Sequence, residues 1–167
     1  MSSGADVIFC SVYMPFNESS TDYCVEFEAV VGVMQGLVDK CLGCKFIFGG
    51  DYNISKGSTN RLCDILNGFC HGNSFSWLDP VPCGIDYTFH NDTLQRFTLI
   101  DYFVCSSDLV NSSTAGYILN DGDNTSDHLA IVCQFTVAVM FCDAKSSNHC
   151  PVKLWWDKAN LDEKWSH

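Results

Sequence analysis

At 167 residues, 47% hydrophobic and 17% charged, the chain is one ordinary domain with enough apolar mass for a core, which excludes a disordered or fibrous polypeptide. A formal charge of −11 excludes sequence-independent binding of nucleic acid through a basic surface; any such role needs a local site, a metal ion or basic surface borrowed from elsewhere. The 11 cysteines are odd in number and follow no signal-like basic or apolar stretch, so reduced thiols in a nuclear or cytoplasmic protein, not a secreted one, are expected.

Val7 to Tyr13 reads as a strand stopped by Pro15. From 23 to 41, Phe27, Val30, Val31, Met34, Leu37, Val38 and Cys41 recur at helical spacing, with Ser20, Thr21 or Asp22 as caps and Gly43 just past the end. Phe46–Phe48 is the next strand. A shorter helix over 59–69, capped by Ser58 or Thr59, turns Leu62, Ile65, Leu66 and Phe69 inward. Residues 72–95 carry turn signals and one short strand at Tyr87-Thr88-Phe89. Strands are then predicted from Thr98 to Cys105 and from Leu129 to Phe141. Helices alternate with strands early and strands dominate later, which predicts a layered α/β protein with mixed sheets. After Cys142 the residues turn small and polar before Val152-Lys153-Leu154-Trp155-Trp156, a linker or tail.

Polar groups interrupt this apolar frame at three places. In KFIFGGDYNIS (45–55) a buried strand is expected to turn at Gly49-Gly50 and aim Asp51 and Asn53 at one point, although an Asp-x-Asn turn bonding its own backbone has the same letters. Asp101 sits mid-strand in TLIDYFV, where a carboxylate is costly unless paired or turned to solvent. Asp127-His128 precedes the last strand, where plain loop polarity is the alternative. Together these groups suit metal-assisted phosphate chemistry: hard oxygen ligands, a carboxylate to position water, and a histidine whose tautomer a second carboxylate fixes. Cys41-x-x-Cys44 has no second pair at ligand spacing, and Cys63, Cys70 and His71 do not complete it, which argues against zinc.

The segments VYMP (12–15), GGDYN (49–53), YTF (87–89), LIDY (99–102) and SDH (126–128) resemble, in order and rough spacing, the endonuclease/exonuclease/phosphatase family. The nearest likeness is the endonuclease of non-LTR retrotransposon polyproteins, where VKLWWDKAN (152–160) looks like the segment leading toward the reverse transcriptase. The inositol-polyphosphate phosphatase branch fits less well, because its Pro-x-Trp-Cys-Asp-Arg segment is absent. The resemblance implies a DNase I-like four-layered α/β sandwich and a Mg²⁺-dependent (or Mn²⁺-dependent) endonuclease that nicks DNA. It implies that Asp51 activates water, Asn53 supports Asp51 and a phosphate oxygen, and Asp101 holds His128 against the scissile phosphate. Asp127 and Asp51 would serve the metal, and Thr88 and Ser126 would line the DNA rim.

The same family pattern implies two further strands before VYMP, one carrying an asparagine and one ending in a metal-binding glutamate; Glu18, Glu26 and Glu28 all fall after it. Residues 1–141 are therefore expected to be the C-terminal two-thirds of such a domain, with 142–167 as tail. Little activity is expected of the chain alone, and an unpaired sheet edge with uncovered apolar surface is expected with it. The alternatives are a DNA-repair-like phosphodiesterase completed by another chain, such as a missing N-terminal segment, and a non-catalytic interaction module.

Overall fold

A computed structural model describes residues 6–16, 22–78, 86–119, 122 and 124–136. In chain order these form β1 (Val7–Tyr13), α1 (Tyr23–Lys40), β2 (Lys45–Asp51), α2 (Arg61–Gly72), β3 (Phe75–Leu78), β4 (Phe89–Asn91), β5 (Arg96–Thr98), β6 (Asp101–Ser106), α3 (Ser107–Val110), β7 (Ser113–Leu119) and β8 (Ala130–Phe135). The tail at 142–167 and the far end of the expected last strand, 137–141, lie outside the described residues.

The main sheet has the order β1-β2-β6-β3, with β1 parallel to β2 and both β2 and β3 antiparallel to β6. This is the mixed α/β architecture expected. The parallel β1–β2 pair requires a crossover, and α1 supplies it. Alternation along the strands sends Val12, Phe46, Phe48, Tyr102, Val104 and Phe75 to one face. There they meet Phe27, Val31 and Met34 of α1 and Leu62, Leu66 and Phe69 of α2 in the larger core. Phe46, Phe48, Phe69 and Phe75 form its centre, with ring centroids 5.4 to 6.1 Å apart. The other face buries Ile47 and Cys105 against Leu109 of α3, with Val7, Phe103 and Phe135 partly covered. Phe135 comes from β8, which pairs antiparallel with β7 as a separate ribbon.

Several boundaries differ from the sequence expectation. Gly49-Gly50 is not a turn, because β2 runs through both residues to Asp51. A side chain at position 50 would place a Cβ 1.9 Å from the Val12 carbonyl oxygen, and its φ of +151° is one that L residues rarely adopt. Phe103 lies directly over Gly49, within 2.7 Å of where a Cβ would be. The glycines thus permit close approach of neighbours on both strands. Helix α2 is capped by Asn60, not Ser58 or Thr59: its side chain accepts the Cys63 amide at 2.9 Å. The expected strand from Thr98 to Cys105 is two strands, β5 and β6, broken at Leu99-Ile100. Asp101 therefore opens β6 and is not mid-strand. The short strand expected at 87–89 begins at Phe89 and forms the β4–β5 hairpin. Two described strands, β3 and β7, were not expected.

Cys10, Cys24, Cys41, Cys44, Cys63, Cys70, Cys105 and Cys133 are free thiols. Burial pushes Cys70 and Cys105 up to about 12, which keeps them protonated packing groups. Among the described residues no three His, Cys, Asp or Glu side chains converge as a metal site, and no helix is long and apolar enough to cross a membrane.

Candidate active site

The ends of β2 and β6 bring the first two polar groups together. In the antiparallel register Asp51 lies directly opposite Asp101, so two carboxylates face each other across one strand pair. Their side chains are only 12% and 13% exposed. Like charges so placed are costly unless something lies between them, and His128 does. Its Nδ1 stands 3.0 Å from Asp101 Oδ2, and its Nε2 stands 3.9 Å from Asp51 Oδ2. A carboxylate only accepts, so Nδ1 donates to Asp101 and Nε2 is the ring atom turned toward Asp51.

Beyond β2 the chain turns sharply. The Asp51 carbonyl accepts the Met14 amide at 2.8 Å, and Asp51 Oδ1 accepts the Asn53 amide at 2.8 Å. Asn53 adopts a left-handed φ of 52°, and its Nδ2 donates to the Met14 carbonyl at 2.7 Å. The turn that could have explained Asp-x-Asn as mere loop chemistry does form, and it is also what fixes one oxygen of Asp51 while leaving the other facing His128. Burial raises the Asp51 carboxyl above its ordinary range; the Asn53 amide pulls it down, Asp101 adds to the rise, and His128 opposes it.

The loop before β8 presents His128. Ser126 Oγ accepts the His128 amide at 3.0 Å, Asn124 Nδ2 donates to the His128 carbonyl at 2.7 Å, and Asn124 Oδ1 accepts the Ser126 amide at 3.0 Å. Ser126 and Asp127 are exposed, and with His90, Asn91 and Asp92 they line a polar depression of about 420 Å³. The Asp127 carbonyl is held by the His90 amide at 2.9 Å.

Thr88 is not at a rim. It is 0% exposed, and its Oγ1 accepts the backbone amides of Ile100 and Asp101 at 3.1 and 3.0 Å. The sequence showed a hydroxyl near an aromatic but not that the β4–β5 hairpin folds it under the start of β6. Phe89 was missed altogether. It bridges to His128, with ring centroids 5.0 Å apart. Tyr13 was also passed over; it is 71% exposed and in register with Asp51. Its place at the end of an alternating strand, two residues before Pro15, was the available signal.

No protein-family model and no curated protein matches the sequence. Solved structures do match. An AP endonuclease from Archaeoglobus fulgidus superposes with a TM-score of 0.58 at 16% identity, covering 78% of this chain and 62% of its own. The endonuclease domain of TRAS1, a telomere-specific non-LTR retrotransposon, gives 0.54 at 21% identity, covering 72% of this chain and 52% of that one. The 3′ phosphatase NExo from Neisseria, bound to product DNA hairpin, gives 0.58 at 16% identity, with coverages of 81% and 62%. The fold is therefore that of the DNase I-like endonucleases, exonucleases and phosphatases. This chain spans between 52% and 62% of the length of these three structures.

Proposed function

We propose that this DNase I-like chain is a Mg²⁺-assisted phosphodiesterase acting on DNA, of the kind that nicks a target for a retrotransposon. The observation that supports it most is the Asp51–His128–Asp101 arrangement, in which an imidazole bonded to one carboxylate at 3.0 Å faces a second at 3.9 Å. In hydrolysis, a water oxygen attacks phosphorus, the bond from phosphorus to the leaving sugar oxygen breaks, and the water's proton needs a base. Asp51, raised above the ordinary carboxylate range by burial, is suited to accept that proton. With a proton on each ring nitrogen, His128 offers an Nε2–H hydrogen bond to a phosphate oxygen as charge builds there, while its Nδ1–H bond to Asp101 fixes the ring's orientation. Asn53 holds Asp51 through the turn, and Asn53 and Ser126, two residues from Asp51 and His128 respectively, would contact phosphate.

The donor chemistry fits a hard cation held in part by substrate, since Mg²⁺ is commonly bound through one or two carboxylates plus phosphate oxygens. Asp51 and Asp127 would hold it, or Mn²⁺ in its place. Such an ion would neutralise phosphate charge. Its two positive charges would also oppose, locally, part of the −11 formal charge that repels DNA. Among the described residues no group of three or more His, Cys, Asp or Glu side chains forms a metal site, so the cation would bind weakly, and slow cleavage by this chain alone is expected.

A supercoiled-plasmid nicking assay with Mg²⁺ tests the reading. Asp51→Asn and His128→Ala should each lower the rate by about 10²–10³, and chelation should abolish it. Nicking that persists unchanged in both variants would contradict the assignment. A second reading, a non-catalytic interaction module, is favoured by the acidic surface; it predicts no Mg²⁺-dependent nicking by the wild-type chain.

A further inference from the structure

The Asp101–His128 pair joins groups 27 residues apart, so something has to set their separation. One residue is bonded to both sides. Thr88 accepts the Ile100 and Asp101 amides with its hydroxyl oxygen, which fixes where β6 begins. Its backbone carbonyl accepts the amide of Leu129, next to His128, at 2.6 Å, and its amide donates to Thr98 at 2.9 Å. The two residues after it continue the same seam. Phe89 bridges to His128, and the His90 amide donates to the Asp127 carbonyl. Residues 88–90 therefore run as a short antiparallel clasp along 127–129 while the Thr88 side chain reaches the other way, under Asp101.

We infer that Thr88 is a positioning residue, a buried hydroxyl that sets the Asp101 carboxylate against the His128 imidazole and makes no contact with DNA. The chemistry demands an oxygen there. Two lone pairs accept two amides, and valine, of the same shape, would leave both part-buried N–H groups without that partner. Only the effect on cleavage rests on the proposed hydrolytic function; the alignment of the pair does not.

The test uses the full chain with ¹⁵N-labelled histidine, comparing wild type, Thr88→Val and Thr88→Ser. Long-range ¹H–¹⁵N spectra should show His128 protonated at Nδ1 in wild type, that tautomer lost or mixed in Thr88→Val, and restored in Thr88→Ser. Nicking should fall by about 10²-fold in kcat in Thr88→Val with KM unchanged, as for a small misplacement of reacting groups, and recover in Thr88→Ser. A Thr88→Val chain that keeps the wild-type tautomer, or that loses only KM, would overturn the inference. Should Thr88→Val fail to fold, hydrogen exchange on the wild type decides it. The Ile100 and Asp101 amides should be protected, and exchange as fast as an open loop would overturn it. If the wild type cleaves no DNA, the functional reading falls while the tautomer still decides the role of Thr88.

Discussion

On one face of the four-stranded sheet, Phe46, Phe48, Val104 and Phe75 lie sealed beneath α1 and α2. On the opposite face of the same strands the buried core is Ile47, Cys105 and Leu109, and β1 presents Phe9 at 72% and Tyr13 at 71% exposure. Among the described residues β1 also has a strand partner on one side only. By strand alternation Asp51 and Asp101 belong to this second, thinly covered face. The difference teaches where each task can sit. The helix-covered face can hold no unpaired charge and supplies the cohesion. The open face carries the two carboxylates and the imidazole, at the expense of apolar cover.

The comparison can be broken by making the same change on both faces. Phe48→Ala, at 1% exposure, should lower stability by about 3–5 kcal/mol. Ile47→Val, in the smaller core of the second face, should cost about 0.5–1.5 kcal/mol. Phe9→Ala should stay within about 0.5 kcal/mol while reducing the binding of a hydrophobic dye. Denaturant unfolding measures all three, and equal costs for Phe48→Ala and Phe9→Ala would dissolve the distinction between the faces.

A smaller effect sharpens it. Because the folded-state pKa of Asp51 is raised, the folded chain binds its proton more tightly than the unfolded one. Stability linked to this group is fully present below the unfolded carboxylate pKa and is lost as pH rises through the folded value. Asp51→Asn should therefore raise Tm at neutral pH, with the gain disappearing in acid, even as it lowers the cleavage rate that the proposed function predicts. A neutral-pH loss of Tm would show that the charged carboxylate supports the fold.

Much of the helix-covered face was legible in the sequence because helix and strand periodicity write themselves locally in runs such as Phe27-Val31-Met34 and Phe46–Phe48. Strands β3 and β7 were not. Four residues of FSWL and the small, polar start of STAGYIL become strands only through their pairing partners, β6 for the first and the following strand β8 for the second. At the site, Asp51, Asn53, Asp101 and His128 stood out as polar residues among apolar ones. What no local pattern contained was the β2–β6 register that sets Asp51 opposite Asp101. Thr88 was misread for a related reason, since a hydroxyl's role depends on which amides the fold delivers to it. The glycine pair was misread as a turn because the letters of a turn and of a crowded strand are the same.

The convergence of three side chains is tested most directly by titrating the Asp51 carboxyl by ¹³C NMR in wild type, Asp101→Asn and His128→Ala. Burial should hold Asp51 above the ordinary carboxylate range, removing the Asp101 charge should lower it, and removing His128 should raise it further. An Asp51 that titrates as a free surface aspartate and ignores both substitutions would contradict the account.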